Sequence, residues 1–192
     1  MEEVISKSQL RHTMRSLFYN EYGTEELTKK SARICLNILK QKSYASASTV
    51  LFYMPLADEV DITPIILHSA KNNKTILIPK TIPHEKTIRP CVIYNFDRDV
   101  KKGYAGILEP IHDIVFNPSQ IDLIIVPGRA FDHTCCRLGR GEGYYDRFFL
   151  TAPFSYKMGV AFDFQIVPRM EQSAHDVSVD CVVTDTIILM RQ

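Results

Sequence analysis

Residues 137–147 read RLGRGEGYYDR, with Gly139, Gly141 and Gly143 at alternate positions among Arg137, Leu138, Arg140, Glu142, Tyr144, Tyr145 and Asp146. These residue types suit an anion. Glycines lack Cβ atoms, so the chain can turn sharply and bring N–H groups close to phosphate oxygens. Arg137 and Arg140 offer forked donors that match such oxygens, and a helix opening after the glycines adds partial positive charge. Asp146, in the first turn of that helix, could hold the magnesium that accompanies a triphosphate. No standard phosphate motif is satisfied. The chain has no Gly-Lys pair for a Walker A loop, and its G-x-G-x-G lies twelve positions beyond Pro127, whereas a dinucleotide fingerprint needs G-x-G-x-x-G directly after a strand. Alone, the loop reads better as a glycine-rich turn carrying surface charges.

Two other places could serve the same anion. SAHDVSVDCVVTD (173–185) puts Asp176 in a polar loop just before the last strand, and strand ends of an open α/β sheet are where ligands collect. Asp146 and Asp176 could share a cation there, with Asp180 as the alternative to Asp176. Near the N-terminus, Lys7 and Arg11 are spaced i, i+4. On one helix face both cations could reach a single polyphosphate, or simply form a solvated face.

The elements that must position these residues follow from periodicity. Leu10, Met14, Leu17 and Phe18 predict a helix over 5–19, with Lys7, Arg11 and Arg15 on another face. Leu27, Ile34, Cys35, Ile38 and Leu39 predict a second, after a break at Tyr22-Gly23-Thr24. Short apolar runs then predict strands at 48–55, 74–80, 87–96, 121–127, 157–163 and 181–189. A helix after Asp61, a plausible N-cap, has Pro64 in its first turn, and another helix covers GYYDRFFLTA. Continuous apolar strands alternating with helices imply an α/β fold, a mostly parallel sheet covered on both faces. No repeat or linker divides the chain, so residues 1–192 are expected to form a single domain, with a helical N-terminal segment of about 1–42 packed on the sheet.

Composition narrows the function classes. With 45% hydrophobic and 23% charged residues over 192 positions, the chain is an ordinary globule. A net charge of +1 disfavours nucleic acid as a partner. No apolar run approaches the roughly 20 residues of a membrane span. MEEVISKSQLRHTMRSLF is amphipathic, but Glu2 and Glu3 argue against a transit peptide, so the cytoplasm is expected. Five scattered cysteines fit reduced thiols. Cys135–Cys136 with His133 lack the paired spacing of a zinc site and read as loop residues.

VPGRAFDHTCCRLGRGEGYYDRF (126–148), preceded by IDLII, resembles the signature of the 5-formyltetrahydrofolate cyclo-ligase (methenyltetrahydrofolate synthetase) family. KSQLR, YMPLADEVD, GILEP and GVAFDFQIVPRMEQSAHDVSVDCVVTD agree in the same order, so the likeness covers nearly the whole chain. The resemblance implies an ATP-dependent closure of 5-formyltetrahydrofolate to 5,10-methenyltetrahydrofolate with release of ADP and phosphate. A formamide carbonyl is a poor electrophile and its oxygen a poor leaving group. The family is thought to phosphorylate that oxygen, after which folate N10 attacks and phosphate departs. Such a route asks for a triphosphate cradle with metal, alignment of two substrates and exclusion of water.

By the same resemblance, Lys7, Arg11 and Arg137 through Tyr145 bind ATP, and Asp146 and Asp176 hold Mg2+. Arg137, Arg140, Tyr144 and Tyr145 are the candidates for catalysis. Glu59 accepts hydrogen bonds from the pterin edge, Tyr53 and Met54 wall the folate, and Tyr144 or Tyr145 approaches N10, the other serving the core. Asp58 and Asp61 lie close enough to confuse the register of Glu59. The implied fold is similar to that of sugar-phosphate isomerases and coenzyme A transferases. The partners are 5-formyltetrahydrofolate and ATP, with no nucleic acid or membrane, and the expected state is a monomer or weak dimer. Lys101 and Lys102 are offered for a glutamate tail. Two positions depart from the family's commonest pattern. Cys135–Cys136 stand in a turn where many relatives have glycine, and Glu142 stands where Gly or Lys is more usual. An anion at 142 would repel a triphosphate unless it points outward or pairs with Arg140 or magnesium. Two other readings stay open: a coenzyme A transferase using Glu109, and a binding relative without turnover, for which Glu142 is the hint.

Overall fold

The computed structural model describes residues 6–20 and 22–192; the expected helix start at residue 5, and the rest of 1–5, lie outside the described residues. The N-terminal part holds helices α1 (Lys7–Asn20), α2 (Thr24–Leu39) and the short α3 (Lys42–Ser46). Next come β1 (Thr49–Leu51), α4 (Thr63–Lys71), and the antiparallel pair β2 (Thr75–Ile82) and β3 (Thr87–Ile93). A small hairpin follows, β4 (Val100–Lys102) and β5 (Leu108–Pro110), then β6 (Leu123–Pro127). A second hairpin, β7 (Ala130–Asp132) and β8 (Arg137–Leu138), leads to α5 (Tyr144–Phe149). The chain ends with β9 (Tyr156–Val160), β10 (Ile166–Val167), β11 (Cys181–Val183) and β12 (Ile188–Met190).

The main sheet has the order β12-β11-β9-β6-β1-β2-β3. Its five central strands, β11 to β2, are parallel, and only the edges β12 and β3 run antiparallel. Continuous apolar strands produce this arrangement because alternate side chains serve opposite faces. Leu123 and Ile125 of β6 pack with Ile34 and Ile38 of α2 and Ile65 and Ile66 of α4. Ile124 and Val126 pack with Phe148 and Phe149 of α5 on the other face. Leu10 and Met14 of α1 bury against Ala130, Cys136 and Leu138, on the small sheet β10-β7-β8. At about 1.5–3 kcal/mol per buried side chain, these two residues suffice to dock α1, which fixes where its basic face points.

From β1 the chain proceeds outward through β2 and β3; from β6 it proceeds the other way through β9 and β11. The order therefore reverses between β1 and β6. The carboxyl ends of these neighbouring strands diverge there, and that leaves a crevice.

Several boundaries differ from the sequence expectation. The strand expected at 181–189 is two, β11 and β12, because Thr184 Oγ1 accepts the Ile187 N–H at 2.9 Å and turns the chain. The helix over GYYDRFFLTA is only the six residues of α5, so its dipole adds little to the loop before it. Asp61 is not the N-cap of α4; Ile62 is, and Asp61 Oδ1 accepts the Thr63 N–H at 2.9 Å from one residue earlier. The twelve positions before Gly139 hold the β7–β8 hairpin. Cys135 and Cys136 are not loop surface but buried at its turn. Cys135 adopts φ 61°, the left-handed region that glycine enters freely. Asp132, also buried, ties the turn by accepting from the Thr134 and Cys136 N–H groups and, across the small sheet, from Met170 N–H.

All five cysteines are buried and free. Burial pushes the Cys35 thiol up to about 12 and those of Cys91, Cys135, Cys136 and Cys181 to about 11. Thiolate is the reactive species. A thiol-exchange reagent at pH 8 should therefore label none of them in the native protein during the time it labels all in urea. Rapid native labelling would contradict the packing. Among the described residues no helix is long and apolar enough to cross a membrane.

Candidate active site

The crevice at the strand reversal opens into a cavity of about 720 Å³. Its polar lining comes chiefly from the start of α1, the turn after β1, the connection after β6, the glycine loop between β8 and α5, and the loop before β11. The residues assigned above to ATP, to the pterin and, as first choice, to Mg2+ all line it, including Lys7, Arg11, Glu59 and Asp176 from distant parts of the sequence. Asp180 does not; its Oδ2 accepts the Lys157 N–H at 2.7 Å. Glu109 is also elsewhere, buried with Oε1 accepting the Thr81 N–H at 3.0 Å. That removes the sequence basis for a transferase glutamate. Lys101 and Lys102 sit exposed on β4, outside the lining.

The glycine loop is held from both sides. Arg11 Nε donates to Gly139 O at 3.0 Å, while Arg147 donates to Glu142 O and, at 2.7 Å, to Lys86 O. Gly141 at φ 113° and Gly143 at φ 69° occupy backbone regions that side chains disfavour. The N–H groups of residues 139–143 meet no acceptor among the described residues. All five residues line the cavity.

Arg137 is the buried anchor. Its NH2 donates to Asp146 Oδ2 at 3.0 Å and its guanidinium lies over the rings of Tyr145 and Phe149, at 5.4 and 5.8 Å. Its Nε is buried without an acceptor, an arrangement that costs free energy unless something fills it. Asp146 Oδ1 meets the Val177 N–H at 3.4 Å, next to Asp176. Lys7 closes that side by pairing with Asp176 and donating to Ser173 Oγ at 2.8 Å. Burial works to raise the Asp176 carboxyl, but hydrogen bonds from Lys7 and the Ser173 N–H outweigh it, so it lies below the usual range. The ionic contribution of Lys7 and Asp176 to the attachment of α1 is thus present above that range and is lost as acid protonates Asp176.

Sequence reasoning missed a cluster beside this anchor. Arg140 donates to Glu59 Oε1 through Nε at 3.2 Å and NH2 at 3.1 Å, and also pairs with Asp58. Asp58 in turn accepts Arg129 at 2.5 Å. Burial pushes the Glu59 carboxyl up, and the opposing pull of Arg140 and the Leu56 N–H does not cancel it. Burial also raises Asp58, but its two arginines prevail and hold it low. The only sequence hint was Asp58 beside Glu59. Sequence reasoning also missed Thr81, Ile88, Tyr104 and Ile107, which complete the far wall.

Tyr53 and Met54 are both buried and line the cavity, with the Tyr53 hydroxyl donating to Val60 O at 2.6 Å. Tyr145 packs against both core clusters, and Tyr144 against one. Glu142 turns outward and pairs with Lys86 at 2.9 Å, not with Arg140. Glu142→Gln should therefore change the KM for ATP by less than about twofold, as removal of an exposed pair ordinarily would. A KM shifted tenfold in steady-state assays would place its charge at the nucleotide.

Among the described residues no group of three or more His, Cys, Asp or Glu gathers as a metal cage. Two carboxylates on one cavity do suit Mg2+, which is usually held by one or two carboxylates together with substrate phosphates.

A parallel-sheet crevice bearing cations, two acids and an apolar wall suits an α/β enzyme that acts on an anionic co-substrate and a second small molecule. A profile of the 5-formyltetrahydrofolate cyclo-ligase family matches residues 3–185. The 5-formyltetrahydrofolate cyclo-ligase of Mus musculus is 26% identical, over 92% of this chain and 90% of its own. That of Escherichia coli is 29% identical, over 72% and 78%. The solution structure of Aquifex aeolicus 5,10-methenyltetrahydrofolate synthetase superposes with a TM-score of 0.85 at 32% identity, covering 96% and 92%. The chain belongs to the 5-formyltetrahydrofolate cyclo-ligase family, whose ligases serve folate one-carbon metabolism with ATP as co-substrate.

Proposed function

We propose that this cavity is where 5-formyltetrahydrofolate is closed to 5,10-methenyltetrahydrofolate at the expense of ATP. The observation that carries the assignment is the convergence of Lys7, Arg11, the glycine loop and Arg137, whose Nε is orphaned, on the same cavity as Glu59 and Met54. Phosphoryl transfer needs positioned cations more than a protein nucleophile. The formyl oxygen attacks the γ-phosphorus and ADP leaves. Folate N10 then attacks the formyl carbon, its proton departs, and the C–O bond breaks to free phosphate. Lys7, Arg11 and the N–H groups of residues 139–143 hold the polyphosphate, while Arg137 and Arg140 stabilise charge on the transferring group. Glu59 accepts from the pterin edge, Tyr53 and Met54 wall it, and Tyr144 and Tyr145 exclude water near N10. Asp146 and Asp176 would hold Mg2+, which would supply neutralisation of polyphosphate charge when bound.

Arg140 and Glu59 have roles that their mutual ion pair blocks, so Arg140 leaves Glu59 as the pterin arrives and becomes available to phosphate. Incubation with 5-formyltetrahydrofolate, ATP and Mg2+ tests the reading. The ultraviolet-absorbing methenyl product should form when all three are present and fail to form when any one is omitted. Binding of both ligands without product would instead favour a relative that has lost turnover.

We read the chain as one domain, a monomer or weak dimer working in the cytoplasm without nucleic acid or membrane. The central run of parallel strands with antiparallel edges supports its likeness to the sugar-phosphate isomerase and coenzyme A transferase scaffold. Light scattering and superposition on an isomerase would test these two points.

A further inference from the structure

Beside the main cavity lies a smaller pocket of about 280 Å³, lined by Arg11, His12, Arg15, Arg129 and Arg140. Arg11, Arg129 and Arg140 line both. The proposed reaction uses neither Arg15 nor His12. Both are exposed on α1, and neither side chain has a hydrogen bond or ion pair among the described residues. Arg11 and Arg15 stand one helical turn apart, a like-charged spacing that destabilises a helix unless a counter-charge is present. Arg129 and Arg140 are steered by Asp58 and Glu59, so four guanidinium groups face the pocket against two carboxylates. The excess is positive, and forked donors converging from two sides match a tetrahedral oxyanion better than a point charge would.

We infer that this pocket is a phosphate subsite, adjoining the triphosphate cradle and sharing Arg11 and Arg140 with it, that receives the inorganic phosphate released by the reaction. Arg140 connects the two cavities, so the group that stabilises the transferring phosphoryl can follow it into the pocket. The surplus of arginine there lowers the cost of moving a dianion away from the product before it leaves. The inference rests on the proposed reaction for its source of phosphate, but phosphate binding is measurable without turnover.

Inorganic phosphate titrated into the protein alone, at ionic strength matched with sodium chloride, should bind and broaden its phosphorus resonance. Arg15→Gln and His12→Asn alter exposed positions outside the proposed machinery. Together they should weaken phosphate binding about 10-fold, the scale of a lost charge-assisted hydrogen bond. In the coupled assay, product inhibition by phosphate should weaken equally, with kcat, the KM for ATP and inhibition by ADP unchanged. Unchanged phosphate binding in the double variant would overturn the inference. So would equal loss of ADP and ATP affinity, which would make the pocket part of the nucleotide cradle. Competition by chloride as effective as phosphate would also overturn it, leaving only general screening. If the protein binds phosphate in this way but makes no methenyl product, the reaction fails and the subsite stands.

Discussion

Arg140→Met should lower kcat/KM by about 10³-fold, the scale of removing a transition-state cation from phosphoryl transfer. Folding should suffer less. Asp58 keeps Arg129 at 2.5 Å, so the loss falls chiefly on Glu59, for which an unpaired buried group costs about 1–3 kcal/mol. A 10³-fold rate loss corresponds to about 4 kcal/mol of barrier, so activity and stability separate. The variant also carries a pH signature. Burial already pushes the Glu59 carboxyl up, and Arg140 is the strongest opposing influence. Without Arg140 the carboxyl rises further and takes up a proton nearer neutrality. Only the ionised form accepts two hydrogen bonds from the pterin edge. The KM for folate should therefore fall as pH rises through that raised value, a dependence weak in the parent. The contribution of Glu59 to stability runs the other way, because the folded state prefers the protonated form: it is greatest below the ordinary carboxylate range and is lost as pH rises through the raised value. Kinetics from pH 5 to 8 with parallel thermal melts would check both. An unchanged rate with a lowered melting temperature would reduce Arg140 to a structural cation.

The contrast between Arg140 and its neighbours shows which features the amino-acid pattern makes readable and which it hides. Leu123 to Val126 announce a buried strand because both faces of β6 are covered, and Leu10 with Met14 announce the docked face of α1. The site residues are legible through a long motif whose glycines meet a backbone requirement, φ 113° at Gly141 and 69° at Gly143. The β7–β8 hairpin is not. Its turn uses Cys135 at φ 61° in place of glycine, and hydrogen bonds to the buried Asp132 carboxylate specify it. No local propensity signals either. The Asp58 relay between Arg129 and Arg140 is hidden for a different reason: its members are charged residues in loops, and only the meeting of β1 and β6 at the sheet's reversal brings them together. Periodicity identifies elements; pairings between loops depend on the fold. Glu142 illustrates the same limit, since its outward pairing with Lys86 depends on where the β2–β3 turn ends up.

The same reasoning makes Asp146→Asn the sharpest test of the proposed metal role. Asparagine keeps the shape and can still accept from Arg137 through its carbonyl oxygen. Its amide would meet the Val177 N–H, donor against donor, where the existing contact is long at 3.4 Å. Arg137 retains the faces of Tyr145 and Phe149 at 5.4 and 5.8 Å, so the structural cost should stay near about 1–3 kcal/mol. What the substitution removes is a negative charge on the cavity wall beside Asp176. If these two acids hold Mg2+ with the nucleotide, kcat/KM at fixed Mg2+ should fall about 10²- to 10³-fold. The Mg2+ concentration for half-maximal rate should also rise, so that excess metal recovers part of the loss. Asp176→Asn should show the same metal dependence, with weaker attachment of α1 because Lys7 loses its ionic partner. A purely structural Asp146 predicts otherwise: a rate lowered in proportion to stability and indifferent to added Mg2+. Calorimetric titration of Mg2+ with ADP into each variant separates these outcomes without relying on turnover. Undiminished binding there would remove Asp146 from the metal site and leave it only its contact with Arg137.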